Sequence, residues 1–217
     1  VTPKSSVLDI GAGTGRFALA LAPYARQVTA LEPNAAMLNY LRQEIEANGV
    51  TNLATLQCSW EDAPADLRAD IVLCSHVLYP ILDIVPFLKK LHAASTLACY
   101  LYLRATSLDT LTAPFWQHFH GDERQQPPGY IHALDVLYEL GIYAQVEVVK
   151  TPFSWKYPSL QDAEDELMEQ LILAESAQTR RELRKLLENW LIEEEDRSWH
   201  SPVWESTSAI LWWPGGI

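Results

Sequence analysis

The chain is predicted to be an α/β protein: a doubly wound, mostly parallel seven-stranded sheet with an antiparallel C-terminal strand pair and a helical cap insertion. Three observations predict it. Short strand-like runs alternate with helical segments over the first hundred residues. Those runs are continuously apolar, as strands covered on both faces must be. After Arg104 the rhythm gives way to an aromatic segment and then a charged helical one, before a last apolar strand. The 217 residues, 48% of them hydrophobic, suffice for one domain with a sizeable core, and a single domain over 1–217 is expected.

Taken in order, Ser5–Ile10 is expected as a strand ended by glycines, and Thr14–Ala22 as a helix that Pro23 blocks. Gln27–Leu31 is the second strand. Asn34 should cap a helix to about Asn48, with Met37, Leu38, Leu41 and Ile45 as its apolar stripe and Asn48-Gly49 as its stop. Leu53–Cys58 and Ala69–Ser75 are the third and fourth strands, Asp83–Ala94 a helix and Ala98–Arg104 the fifth strand. Residues 106–130, rich in aromatics and Pro, form an insertion with at most a short helix. Ala133–Leu140 is a helix, and Ile142–Trp155 a long strand. Residues 158–197 form the cap between the last two strands, as two helices broken near Ser176–Thr179. Ser206–Trp213 closes the sheet.

Composition excludes several classes. The formal net charge of −12 repels phosphate backbones, so no nucleic-acid partner is expected. Arg180, Arg181, Arg184 and Lys185 lie among glutamates and read as a solvated helix face. No run of about 18 uncharged apolar residues appears, so no membrane span is expected. Cys58, Cys74 and Cys99 lie far apart, with neither a CxxC pair nor zinc spacing. They read as free thiols of a reducing, cytoplasmic compartment, and no metal site is expected.

The chemistry concentrates in Val7-Leu-Asp-Ile-Gly-Ala-Gly-Thr-Gly-Arg16. A glycine loop between the first strand and its helix lies at the carboxyl edge of a parallel sheet, where ligands bind, and the following helix N-terminus favours a negatively charged or carboxylate-bearing ligand. A dinucleotide fold wants G-x-G-x-x-G. Here Gly11, Gly13 and Gly15 give G-x-G-x-G with Arg16 next, and no Gly-Lys-Ser/Thr follows, so a phosphate loop of that kind is excluded.

This stretch resembles the first motif of the class I S-adenosylmethionine-dependent methyltransferases, and the resemblance covers roughly residues 5–105. It implies S-adenosylmethionine as cofactor, S-adenosylhomocysteine as product, and a loop of Asp9, Gly11, Ala12, Gly13 and Gly15 around the methionine end. Glu32, at the end of the second strand, would accept hydrogen bonds from the ribose hydroxyls, with Pro33 and Met37 lining the adenine face. After the third strand, Ser59 stands where the family commonly has an acidic adenine reader, and Glu61 or Asp62 would take over that contact. Trp60 either covers the adenine or is core. Ser75 ends the fourth strand beside the cofactor. His76 and Tyr79 are weak catalytic candidates: His76 is either a general base or a packed side chain whose backbone alone touches the cofactor.

The resemblance further implies methyl transfer by direct in-line displacement. The pattern lacks, after the fourth strand, the N-P-P-Y-type motif that amino-group methylators of nucleic acids and some proteins carry, which with the charge points to a small-molecule acceptor. The insertion, with Phe115, Trp116, Phe119 and Tyr130, and the cap helices would form a lid. The alternative is a non-catalytic methyltransferase-like domain serving a partner protein. Only four residues precede Ser5, so the helix that usually precedes the first strand and closes over the cofactor is expected upstream, or replaced, with weaker cofactor binding in this form. The oligomeric state, the acceptor and the use of a base stay open.

Overall fold

The structure is a computed structural model and describes residues 1–216. The elements are β1 (Ser6–Ile10), α1 (Arg16–Leu21), a 3-10 turn (Ala22–Tyr24), β2 (Gln27–Leu31), α2 (Ala35–Ala47), β3 (Leu53–Leu56), β4 (Ala69–Ser75), α3 (Ile84–Ala94) and β5 (Ser95–Arg104). Then follow α4 (Asp109–His120), α5 (Tyr130–Glu139), β6 (Gln145–Phe153), β7 (Lys156–Tyr157), α6 (Leu160–Gln170), α7 (Ala177–Trp190), β8 (Ile192–Glu193), β9 (Trp199–His200) and β10 (Trp204–Pro214). Seven strands form one sheet in the order β3-β2-β1-β4-β5-β10-β6. β1 to β5 pair in parallel, and β10 runs antiparallel to β5. The predicted architecture is therefore present.

The chain divides into two compact units. The first comprises Val1–Ala105, Pro128–Val149 and the stretch from Ser208 on. Alternate side chains of its central strands feed opposite faces. Leu8, Ile10, Val72, Cys74, Leu101 and Leu103 pack in one cluster with Phe87, Leu88 and Leu91 of α3 and Leu137 of α5. Val7, Val28 and Ala30 pack in the other with Ala18 of α1 and Leu38 and Leu41 of α2. This double covering explains why the strands read as unbroken apolar runs. Asn34 caps α2 as expected, its Oδ1 accepting from the Ala36 and Met37 N–H groups at 2.9 and 3.1 Å.

The second unit comprises Thr106–Pro127 and Lys150–Thr207. Its core joins Phe115 of α4 to Leu167 and Met168 of α6 and Leu183 and Leu187 of α7. β7, β9 and β8 form a small antiparallel sheet.

Several expectations are corrected. α1 begins at Arg16, not Thr14, because Gly13 and Gly15 hold positive φ (57° and 94°), outside helical space. The 106–130 insertion contains a twelve-residue helix, α4, which Pro114 tolerates within its length. α5 starts at Tyr130, and Tyr130 packs with the first unit's core rather than with the insertion. The helical pair breaks over residues 171–175, before Ser176, whose hydroxyl caps α7 by accepting from Thr179 N–H at 3.0 Å. The helical run stops at Trp190, and what was expected as helix to Asp196 contains β8. Two-residue strands carry no periodicity, so nothing in the residue pattern marks β7, β8 or β9. Among the described residues no helix is long and apolar enough to cross a membrane.

Candidate functional site

The glycine loop is tied to the end of β2. Gly11 and Ala12 N–H groups both donate to Leu31 O, at 2.8 and 3.0 Å, and Gly15 N–H donates to Ala12 O at 2.9 Å. The Glu32 carboxylate then accepts from Gly13 N–H at 2.9 Å through Oε2 and from Asn34 N–H at 2.9 Å through Oε1. Each of its oxygens keeps a second lone pair. α1 has only six residues, so the loop presents a carboxylate where the sequence led one to expect a row of free N–H groups.

Gly13 and Gly15 differ in what surrounds them. A Cβ at Gly15 would overlap the side chains of Leu41 and Leu19, so that position is closed by packing. A Cβ at Gly13 would meet only the Met37 sulfur, at 4.0 Å. The Gly13 backbone therefore faces open space, bordered by the exposed Met37 and by Glu32, itself 7% exposed.

Asp9 lies beneath the loop at 1% exposure, and its Oδ2 has no hydrogen-bond partner among the described residues. Burial pushes its carboxyl up to about 7; the Ala18 N–H opposes that rise and the Glu32 charge adds to it. A buried acid with an orphaned oxygen beside a second carboxylate is an environment that a cationic ligand would relieve. Asp9, Glu32 and the open Gly13 backbone thus fit a ligand with a positive charge and vicinal hydroxyls, which are the groups S-adenosylmethionine carries.

The loop after β3 is fixed from α3. Lys90 Nζ donates to the carbonyls of Trp60, Glu61 and Ala63 at 2.6, 3.0 and 2.6 Å. Trp60 is buried, and its indole donates to Phe87 O at 3.2 Å. Its side chain is part of the core. Asp62 is turned back to the Ser59 hydroxyl, at 2.8 Å. Glu61 is exposed. Pro33 is exposed at the start of the turn into α2, and Ala12 is buried in the cluster with Ala18, Leu38 and Leu41.

β4 ends at Ser75, paired with Tyr102 of β5. The next residue, His76, takes a left-handed conformation with φ 58°, held by its N–H donating to Tyr102 O at 2.9 Å. A non-glycine residue there is strained and persists only where its surroundings enforce it. The Arg104 N–H donates to Tyr79 Oη at 2.8 Å, and Tyr79 Oη lies 2.8 Å from His76 Nδ1. The Tyr79 hydroxyl therefore accepts from the Arg104 N–H and shares one hydrogen with His76 Nδ1. Burial first, then the Arg104 and Arg16 charges, push the imidazole down to about 4. His76 is therefore neutral at physiological pH. Burial also raises the Tyr79 phenol.

Sequence reasoning missed Lys90, Arg104 and Tyr102. The only signal available for Tyr102 was its period-2 spacing from Tyr100 on β5, which places both on one face. Lys90 gave none, because a lysine in a helix reads as solvated.

Residues 7–95 match the family model described as a methyltransferase domain. An uncharacterized protein of Haemophilus influenzae is 33% identical over 152 residues, covering 70% of this chain and 56% of that protein. The ribosomal protein L11 methyltransferase of Pasteurella multocida is 32% identical over 87 residues, covering 40% of this chain and 29% of that protein. The chain thus spans about half the length of the first of these relatives and less of the second. A putative methyltransferase from Bacillus halodurans C-125 superposes with a TM-score of 0.64 at 16% identity, covering 99% of this chain and 94% of that one, which speaks for the fold. Residues 7–95 thus match a methyltransferase domain, and the fold is one that a putative methyltransferase shares.

Proposed function

We propose that this protein transfers the methyl group of S-adenosylmethionine to a small-molecule acceptor by direct in-line displacement. The carrying observation is the pairing of the orphaned Asp9 oxygen with the Glu32 carboxylate under an open glycine backbone. Once bound, the cofactor would supply its activated sulfonium methyl group to the acceptor's lone pair, the carbon–sulfur bond breaking with its electron pair left on sulfur and any acceptor proton lost to solvent. Glu32 offers its remaining lone pairs to the ribose hydroxyls, and Asp9 offers a charge to the cationic methionine end. Gly13 allows the close approach, Met37 and Pro33 border it, and Glu61 stands free to meet the adenine amine.

Positioning supplies most of the acceleration in such a reaction. His76, held neutral and engaged by Tyr79 at Nδ1, is a poor proton acceptor and is suited to positioning rather than to removing a proton. The relatives named as ribosomal protein L11 methyltransferases are each matched over less than half of their own length, so they do not argue for a protein acceptor here. The charge of −12 disfavours a nucleic acid.

A thermal-shift titration with S-adenosylhomocysteine tests the reading. Stabilisation of about 2.7 kcal/mol is expected at a hundredfold excess over Kd, with none from NAD. Glu32→Ala should remove most of it. An unchanged response in that variant would refute the ribose role, and no response in the wild type would refute the cofactor.

A further inference from the structure

Six side chains of the first unit form a continuous strip. The Arg16 guanidinium lies 5.4 Å from the Phe17 ring centroid. Phe17 meets Tyr102 edge-on at 6.1 Å, and Tyr102 meets the His76 imidazole at 4.8 Å. His76 stacks on Tyr79 at 6.0 Å with the planes 19° apart, and the Arg104 guanidinium lies 6.0 Å from the Tyr79 ring. Four rings thus run between two guanidinium groups. The strip begins directly after Gly15 and passes through the residue directly after Ser75, so it borders the candidate cofactor loop.

Among the described residues neither Arg16 nor Arg104 has a carboxylate within salt-bridge distance, a condition they share with Arg42, Arg68, Arg181 and Arg197. What sets Arg16 and Arg104 apart is their place, one at each end of the aromatic strip, where both charges stay uncompensated. At the Phe17 end lies a pocket of about 300 Å³, lined by Arg16, Phe17, Leu73, Tyr100, Tyr102 and Ile210 among others. It is apolar and aromatic apart from a single cation, which is the make-up of a site for a small ligand with one charged end.

We propose that this strip is the acceptor site and that the acceptor is a flat, conjugated carboxylate. The inference rests on the methyltransferase reading and names its substrate class. Ring faces stack on a conjugated plane, and a guanidinium fork holds a carboxylate through two parallel hydrogen bonds. The neutral His76 imidazole lies between the two cations along the strip. An amine acceptor is repelled by both arginines.

The test uses the whole chain with benzoate, benzamide and benzylamine as probes, followed by ligand-detected NMR with and without S-adenosylhomocysteine. Benzoate is expected to bind at least about tenfold more tightly than either isostere. Arg16→Gln and Arg104→Gln should each weaken benzoate by about tenfold. Arg16 is exposed, so its variant should unfold at the wild-type midpoint, which separates a lost contact from a lost fold. Equal binding of the three probes, or benzoate binding untouched in both variants, overturns the proposal. The same samples keep the two readings apart. If S-adenosylhomocysteine binds while benzoate is indifferent, the strip assignment fails alone. If benzoate behaves as expected and S-adenosylhomocysteine does not bind, the methyltransferase reading fails and the anion site stands.

Discussion

Asp9 holds a carboxyl in a place where its charge is poorly solvated, and this makes the folded state sensitive to pH. Its folded pKa of about 7 lies above its ordinary 3.8. The folded protein therefore holds a proton that the unfolded chain releases, and stability should fall as pH rises from about 4 to about 7. Three pKa units correspond to at most about 4 kcal/mol over that window. Asp9→Asn should remove this slope in urea unfolding measured across the range; a slope equal to that of the wild type would show that Asp9 does not cause it. The two loop glycines make a second contrast. Ala at Gly13 meets open space, so it should cost only the left-handed strain of roughly 1–2 kcal/mol while weakening S-adenosylhomocysteine binding. Ala at Gly15 adds overpacking against Leu41 and Leu19, about 1–3 kcal/mol more, and should appear first as a lowered unfolding midpoint. If both variants lost stability equally, the packing distinction would be wrong.

At the scale of elements, the positions that matter most are the ends of strands. β1 delivers Asp9, β2 delivers Glu32 and β4 delivers Ser75 and His76, because parallel strands end on one edge and their following turns share it. α3 serves that edge from behind through Lys90, which saturates three carbonyls of the loop after β3. In the second unit α6 and α7 bury Leu167, Leu183 and Leu187 fully. Leu187→Ala should destabilise that hairpin by about 2–5 kcal/mol through the cavity it leaves. Hydrogen exchange of the α6 and α7 amides is the direct readout, and unchanged protection there would contradict the burial. Glu164, at 2% exposure, is held by Arg180 and Arg184 at 3.0 and 3.3 Å. The basic run at 180–185, read from sequence as a solvated face, is in part a partner for this buried acid.

For the molecule as a whole, twelve surplus negative charges repel one another at low salt. Raising the ionic strength from roughly 0.01 M to 0.15 M shortens the screening length from roughly 30 to 8 Å. The unfolding temperature should therefore rise over that interval, and a fall would mean that attractive surface pairs outweigh the net charge. The order of strands and helices up to Arg104 was legible from residue patterns, because doubly covered strands, an Asn cap and a glycine loop each leave a local mark. The motif from Val7 to Gly15 together with Glu32 led to the methyltransferase reading for the same reason: a loop that must approach a ligand closely constrains residues adjacent in sequence. Only the tertiary structure decided the rest. Two-residue strands, a buried Trp60, a lysine turned onto carbonyls, and an aromatic strip drawn from α1, β5 and the turn after β4 all depend on residues far apart in the chain. Their roles follow from which side chains meet, and no spacing along the sequence encodes that.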